Sequence, residues 1–173
     1  MRKAISMKYY IVPVENGNPH DWEAGIDGTG YRKMLAFSKW LREVGSEVSI
    51  FHGSGKSSGA HAHFLGRLPD CKVQRSALLD SERPSLPVDY RARQIAIREA
   101  FPGEEGHVAV LVVHCRNAWA ALGLVTRDVP DVREISKPRG REEIFPSTHV
   151  VCVDTATGFV EWIQYFGTPD PPT

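Results

Sequence analysis

The chain has 173 residues, 42% of them hydrophobic, and its 21 Lys+Arg balance 21 Asp+Glu for a formal net charge of zero. That is the composition of one ordinary globular domain, and it excludes disorder, collagen and coiled coil as the main state. A neutral chain carries no general electrostatic footprint for nucleic acid or an anionic membrane, so neither is expected as a partner. Three cysteines, Cys71, Cys115 and Cys152, are odd in number and form no CxxC pair, which suits a reducing compartment. The stretch Met1–Ser6 is basic but lacks the apolar core of a secretory leader. Apolar runs fall far short of the roughly 20 residues that span a bilayer. A cytoplasmic location is expected.

Tyr9 to Val14 (YYIVPV) is an apolar, β-branched run that predicts a buried strand, with Pro13 marking where ladder pairing should stop. The loop Glu15–Gly30 is rich in Gly, Asn and Asp, and Asp27 or Thr29 can cap the next helix. Tyr31, Met34, Leu35, Ser38 and Leu41 recur at helical spacing, and Gly45 supplies the stop. Val48–Phe51 predicts a second strand, followed by a small-residue turn over Gly53–Gly59 and a short helix over Ala60–Leu68. Val73 begins a further short strand, and Pro87 starts a helix that runs to about Phe101.

His107 to Val113 is the strongest strand signal in the chain, because Val108 through Val113 are all apolar. A run without alternation predicts a central parallel strand covered on both faces. Asn117–Thr126 predicts a short helix, and the polar stretch Asp128–Pro146 a surface excursion. A hairpin closes the chain: Thr148–Asp154, a turn through Thr155–Gly158, then Phe159–Phe166. No linker or repeat divides it. The expectation is one α/β domain over 1–173, with its core at about 7–166 and a frayed tail at 167–173. Its architecture is a three-layer αβα sandwich, with a mostly parallel central sheet and a C-terminal hairpin.

This order of elements resembles the histidine phosphatase (phosphoglycerate mutase-like) superfamily, and within it the small SixA-type phosphohistidine phosphatases. YYIVPVENG stands where the family has a strand ending in Arg-His-Gly, and GIDGTGYRKMLAFSKWLREVG where it has its first loop and helix. VSIFHGSGKSSGAHAHFLG corresponds to the second strand with its arginine-bearing turn, and VAVLVVH to the strand that ends in a histidine. IFPSTHVVCVDTATGFVEWIQYF resembles the closing hairpin. The resemblance covers about residues 7–166 and rests on layout more than on identities.

In the family, the first-strand histidine attacks phosphorus and its neighbouring arginine grips phosphate oxygens. The corresponding positions here are Pro13 and Val14, or Val14 and Glu15 after a one-residue slip. No phosphohistidine can form on such side chains. The second clamp arginine falls near Ser57 or Ser58, with only Lys56 beside it as a point charge lacking the planar fork. The resemblance therefore implies a degenerate member, not a working phosphohistidine-forming phosphatase. It would bind a small anionic ligand or a protein partner without a cofactor. The alternative is a phosphohydrolase or phosphotransfer enzyme with a rearranged site that uses His114 and His52.

His114 ends the best strand and His52 the second, where ligand-facing residues of open α/β sheets sit. Either His114 serves the pocket or it is a vestige fixing its loop by hydrogen bonds. Glu15, Asn16, Ser54, Lys56, Ser57 and Arg116 lie on the adjoining strand-to-helix junctions and are the candidate anion-binding residues. The turn HGSGKSS is not a nucleotide-binding loop, because no glycine stands at the GxxxxGK[ST] spacing. His61 and His63 would face one way on a strand but diverge on a helix, so no metal site is expected. Cys152, in the closing hairpin, reads as a buried apolar filler.

Overall fold

A computed structural model describes residues 8–14, 28–44, 47–53, 56–67, 71–76, 79, 107–126, 129–137 and 149–164. The helix expected over Pro87–Phe101 and the tail lie outside them. Along the chain run β1 (Lys8–Val14), α1 (Gly28–Val44), β2 (Glu47–His52), α2 (Lys56–Leu65), β3 (Cys71–Arg75), β4 (His107–His114), α3 (Cys115–Thr126), β5 (Arg133–Ile135), β6 (His149–Asp154) and β7 (Phe159–Gln164). Among the described residues, no helix is long and apolar enough to cross a membrane.

Among the described residues the sheet has seven strands in the order β3-β2-β4-β1-β6-β7-β5. β4 lies between β2 and β1 and pairs in parallel with both. β2–β3 and β5–β7 are also parallel, whereas β6 is antiparallel to β1 and to β7. The apolar run of β4 is therefore interior, and Val108–Val113 are all buried. Strand alternation sorts the core into two layers. Tyr10, Val12 and Val14 of β1 join Val108, Val110 and Val112 of β4 under Met34, Phe37 and Leu41 of α1 and Ala62 and Leu65 of α2. On the opposite face, Ile11, Leu111, Val113, Val151 and Trp162 pack with Ala118, Ala121, Leu122 and Val125 of α3. Three layers result, as the alternation of strand and helix predicts.

Several local expectations need correction. α2 begins at Lys56, so half of the expected Gly53–Gly59 turn is helix. The expected excursion contains β5, whose three residues pair with Arg133↔Phe159 at their start. On α1 the buried stripe is Lys33, Met34, Phe37, Ser38 and Leu41, while Leu35, expected inside, is exposed. Pro13 ends pairing on one side only. The β6 ladder stops at Ile11↔Val151, but the β4 ladder continues through Pro13↔Val113 to Val14↔His114. Cys152 is half-buried rather than fully enclosed, and burial pushes its thiol up despite a hydrogen bond with the Tyr10 side chain.

Candidate functional site

The parallel strands β1, β2, β3 and β4 all end on one edge of the sheet. Register puts Val14 beside His114, and His52 beside Val112 and Arg75. His52 and His114 share the parity of the Val108, Val110 and Val112 layer, so both lie on the α1/α2 face of neighbouring strands, two residues out of register. Both are buried. The expected pair is thus brought to one corner.

The ring of His52 is fixed by its neighbours. Its Nδ1 lies 2.7 Å from the carbonyl oxygen of Gly53, which can only accept, so Nδ1 carries the proton and Nε2 keeps the lone pair in the neutral ring. The Ser58 hydroxyl donates to the same carbonyl at 3.3 Å. Gly59 underlies the ring: a Cβ there would stand 3.6 Å from His52 Cε1 and Nδ1. The exposed His63 ring lies 5.6 Å away, whereas His61 turns into the core, as an HxH pair on a helix must. Among the described residues, no cluster of His, Cys, Asp and Glu could hold a metal ion.

Two residues not expected at the site also stand at this edge. Lys33, one and a half turns into α1, is buried at 5% exposure and its Nζ donates to the Pro13 carbonyl at 2.6 Å. His149, also buried, begins β6; extending the antiparallel register of Ile11↔Val151 by two residues sets it opposite Pro13. Burial, and after it the Lys33 ammonium, hold the His149 imidazole below its ordinary value. Lys33 has a retrievable signal, since it stands four residues before Phe37 and eight before Leu41 on the buried stripe. His149 stands three residues before Cys152, a spacing that sets the two on opposite faces of one strand.

The sign of the His149 effect comes from linkage. The fold prefers neutral His149, so below pH 6.5 the unfolded chain binds the proton more readily than the folded one. Stability contributed here is full above pH 6.5 and is lost as pH falls through that value toward the lower folded pKa. Urea unfolding midpoints between pH 8 and 5 should fall less steeply for His149→Gln than for the unmodified chain. Equal slopes would show that His149 does not contribute.

Of the other expected site residues, Glu15, Asn16 and Ser54 lie outside the described residues. Lys56 and Ser57 open α2, and Arg116 stands in the first turn of α3, so their backbones stand at the same edge. Carboxylates are distributed otherwise. Among the described residues, Glu43, Glu47 and Asp154 lie at the opposite edge, and Asp131, Glu134 and Glu161 around β5 and β7. His149 starts β6 at this edge with the parity of Val151 and Val153, on the α3 face, whereas Lys33, His52 and His114 gather on the α1/α2 side, with Arg75 at their margin and the N–H ends of α2 and α3 at the same edge. This arrangement favours negative charge.

No protein-family model matches the chain, and no curated protein does. Solved structures do. The phosphoglycerate mutase of Plasmodium falciparum superposes with a TM-score of 0.54 at 11% identity, covering 98% of each chain. A protein assigned as the phosphohistidine phosphatase SixA of Nakamurella multipartitia gives 0.54 at 16% identity, over 92% of this chain and 95% of that one. YhfR of Bacillus stearothermophilus gives 0.56 at 12%, over 91% and 96%. Likeness at such identities concerns the fold.

Proposed function

Since this chain has the phosphoglycerate mutase-like fold of the histidine phosphatases, we propose that it is a histidine phosphatase-like domain that has lost phosphohistidine chemistry and binds a small anionic ligand at the strand-end corner. The observation that carries this reading is the end of β1. It enters the corner through Pro13 and Val14, paired with Val113 and His114, where the resemblance calls for arginine and the attacking histidine. Neither side chain offers a nitrogen lone pair, so no phosphorus–nitrogen bond can form there. Removing a nucleophile costs on the order of 10⁶ in rate in a comparable knock-out. The corner keeps the means to bind: buried imidazoles, a buried ammonium and two helix N-termini.

The His52 geometry favours one second reading. With Nδ1 tied to Gly53, Nε2 of His52 keeps its lone pair on the strand next to that of His114, a base of the kind a rearranged hydrolase would require. Incubating the full chain with para-nitrophenyl phosphate and with a phosphohistidine peptide separates the two. Turnover at the buffer rate is expected, with no acid-labile phosphoryl group on the protein, while phosphate titration moves the His114 ring resonances. Robust hydrolysis abolished by His114→Ala would overturn the proposal in favour of the enzyme.

A further inference from the structure

At the β7–β5 end, the α1/α2 side of the sheet stays open to solvent. Val160 and Trp162 of β7 pack with α3 on the other side, so alternation turns Phe159 and Glu161 toward the open one. The pairings Arg133↔Phe159 and Ile135↔Glu161 put these two β5 residues on the same side. All four are exposed, Phe159 at 40% and Ile135 at 39%. They stand at the corners of a rectangle, with Arg133 and Glu161 on one diagonal and Ile135 and Phe159 on the other. Strand spacing and rise make each diagonal about 8 Å long. Among the described residues, neither Arg133 nor Glu161 makes an ion pair, whereas the neighbouring Glu134 is joined to Lys137 at 3.0 Å. Exposed apolar side chains framed by charges of both signs suit a partner that carries the same pattern.

We infer that this face binds a second copy of the chain, about a two-fold axis lying along the Ile135–Phe159 diagonal. When two identical faces meet, the two-fold lies in the plane between them, and the same patch serves both copies. Four axes through the centre of the rectangle bring side chain onto side chain. An axis along the strands sets Arg133 on Phe159 and Glu161 on Ile135; one across the strands sets Arg133 on Ile135 and Glu161 on Phe159. Both press charge against hydrocarbon, which is costly. An axis along the charged diagonal stacks guanidinium on guanidinium and carboxylate on carboxylate. Only the apolar diagonal is complementary throughout. Each Arg133 then faces the Glu161 of the other copy, within reach of their long side chains, while Phe159 meets Phe159 and Ile135 meets Ile135. A patch of this size belongs to the weak, reversible class of interface, so the dimer depends on concentration and on salt. It stands apart from the strand-end corner, and its failure would leave the anion-binding reading untouched.

Sedimentation velocity of the full chain between about 10 μM and about 1 mM follows the association. A monomer–dimer equilibrium is expected, weakened several-fold by about 0.5 M sodium chloride. Phe159→Ser should weaken it by about tenfold or more, because it removes the aromatic at the centre of the contact. Arg133→Glu gives each copy two carboxylates on this face, and Glu161→Arg gives each copy two guanidinium groups. Both single variants should therefore stay monomeric through the range. Mixed in equal amounts they should dimerise again, since opposite signs then meet at both contacts, and recovery on mixing shows that each variant is folded. The double variant Arg133→Glu/Glu161→Arg should dimerise by itself. Leu35→Ser, which removes an exposed apolar side chain from α1, should associate as the unmodified chain does. A chain monomeric throughout the range would overturn the inference. So would a dimer that either charge reversal leaves intact, or one that neither mixing nor the double variant restores.

Discussion

Phe37→Ala is expected to cost about 3–5 kcal/mol of folding stability, the range for truncating a buried aromatic. Phe37 is fully buried on α1. It stacks on Trp40 with ring centroids 5.7 Å apart and meets Tyr10 of β1 at 6.2 Å. The Tyr10 and Trp40 rings also meet each other edge-on at 4.7 Å. Removing the middle of that triad forfeits the transfer energy of the phenyl ring and leaves a cavity that two rigid rings cannot refill. Since domains of this size are stable by only about 5–15 kcal/mol, the loss is a large share of the whole. Urea unfolding followed by tryptophan fluorescence measures it. A cost below about 1 kcal/mol would show that α1 is not seated on β1 as described.

Gly158→Ala is the second large effect. Gly158 ends the turn between β6 and β7 with φ of 77°, in the region that L side chains rarely adopt. A Cβ there would lie 2.8 Å from the Asp131 carbonyl oxygen and 2.9 Å from that of Pro130. Both obstacles are backbone, so no side chain can swing away. Such strain costs about 1–3 kcal/mol. Relief requires the 130–131 segment to move, which breaks the 2.8 Å bond from the Arg133 amide to the Gly158 carbonyl. Hydrogen exchange at Arg133 should therefore accelerate much more than at Val110 in β4. Unchanged exchange at Arg133 would mean that the turn and β5 are not coupled.

The fold was legible where burial leaves a uniform signature. Val108–Val113 has no polar residue to spare for a solvent face, and only an interior strand of the sheet accommodates that. The closing hairpin was legible because Gly158 punctuates it. β5 was not, since three residues cannot show a period, and its pairing is set by the Gly158 turn rather than by its own side chains. The start of α2 was hidden because glycine and serine carry turn preference and little helical preference, whereas here the helix is held by Ala62 and Leu65 packing on β2 and β4. At the site, His52 and His114 could be read from strand ends. Lys33 was overlooked despite its place on the buried stripe, because a lysine on an amphipathic helix is taken as solvated unless one asks what its ammonium would reach. Leu35 was placed inside by the same pattern and lies outside, one position off the stripe.

The place of β4 between β2 and β1 also decides when the chain can fold during its synthesis. When β1 and β2 have emerged, their shared neighbour is still more than fifty residues away, since β2 ends at His52 and β4 begins at His107. Until then Ile11, Val12 and Ile50, all fully buried in the finished sheet, belong to strands with open edges, the sites at which nascent chains pair with the wrong partner. The pairing Lys8↔Asp154 comes later still. Contacts so distant in sequence make closure slow. A nascent chain arrested near residue 100 should therefore engage holdase chaperones, and release should follow emergence of the valine-rich strand that fills the gap.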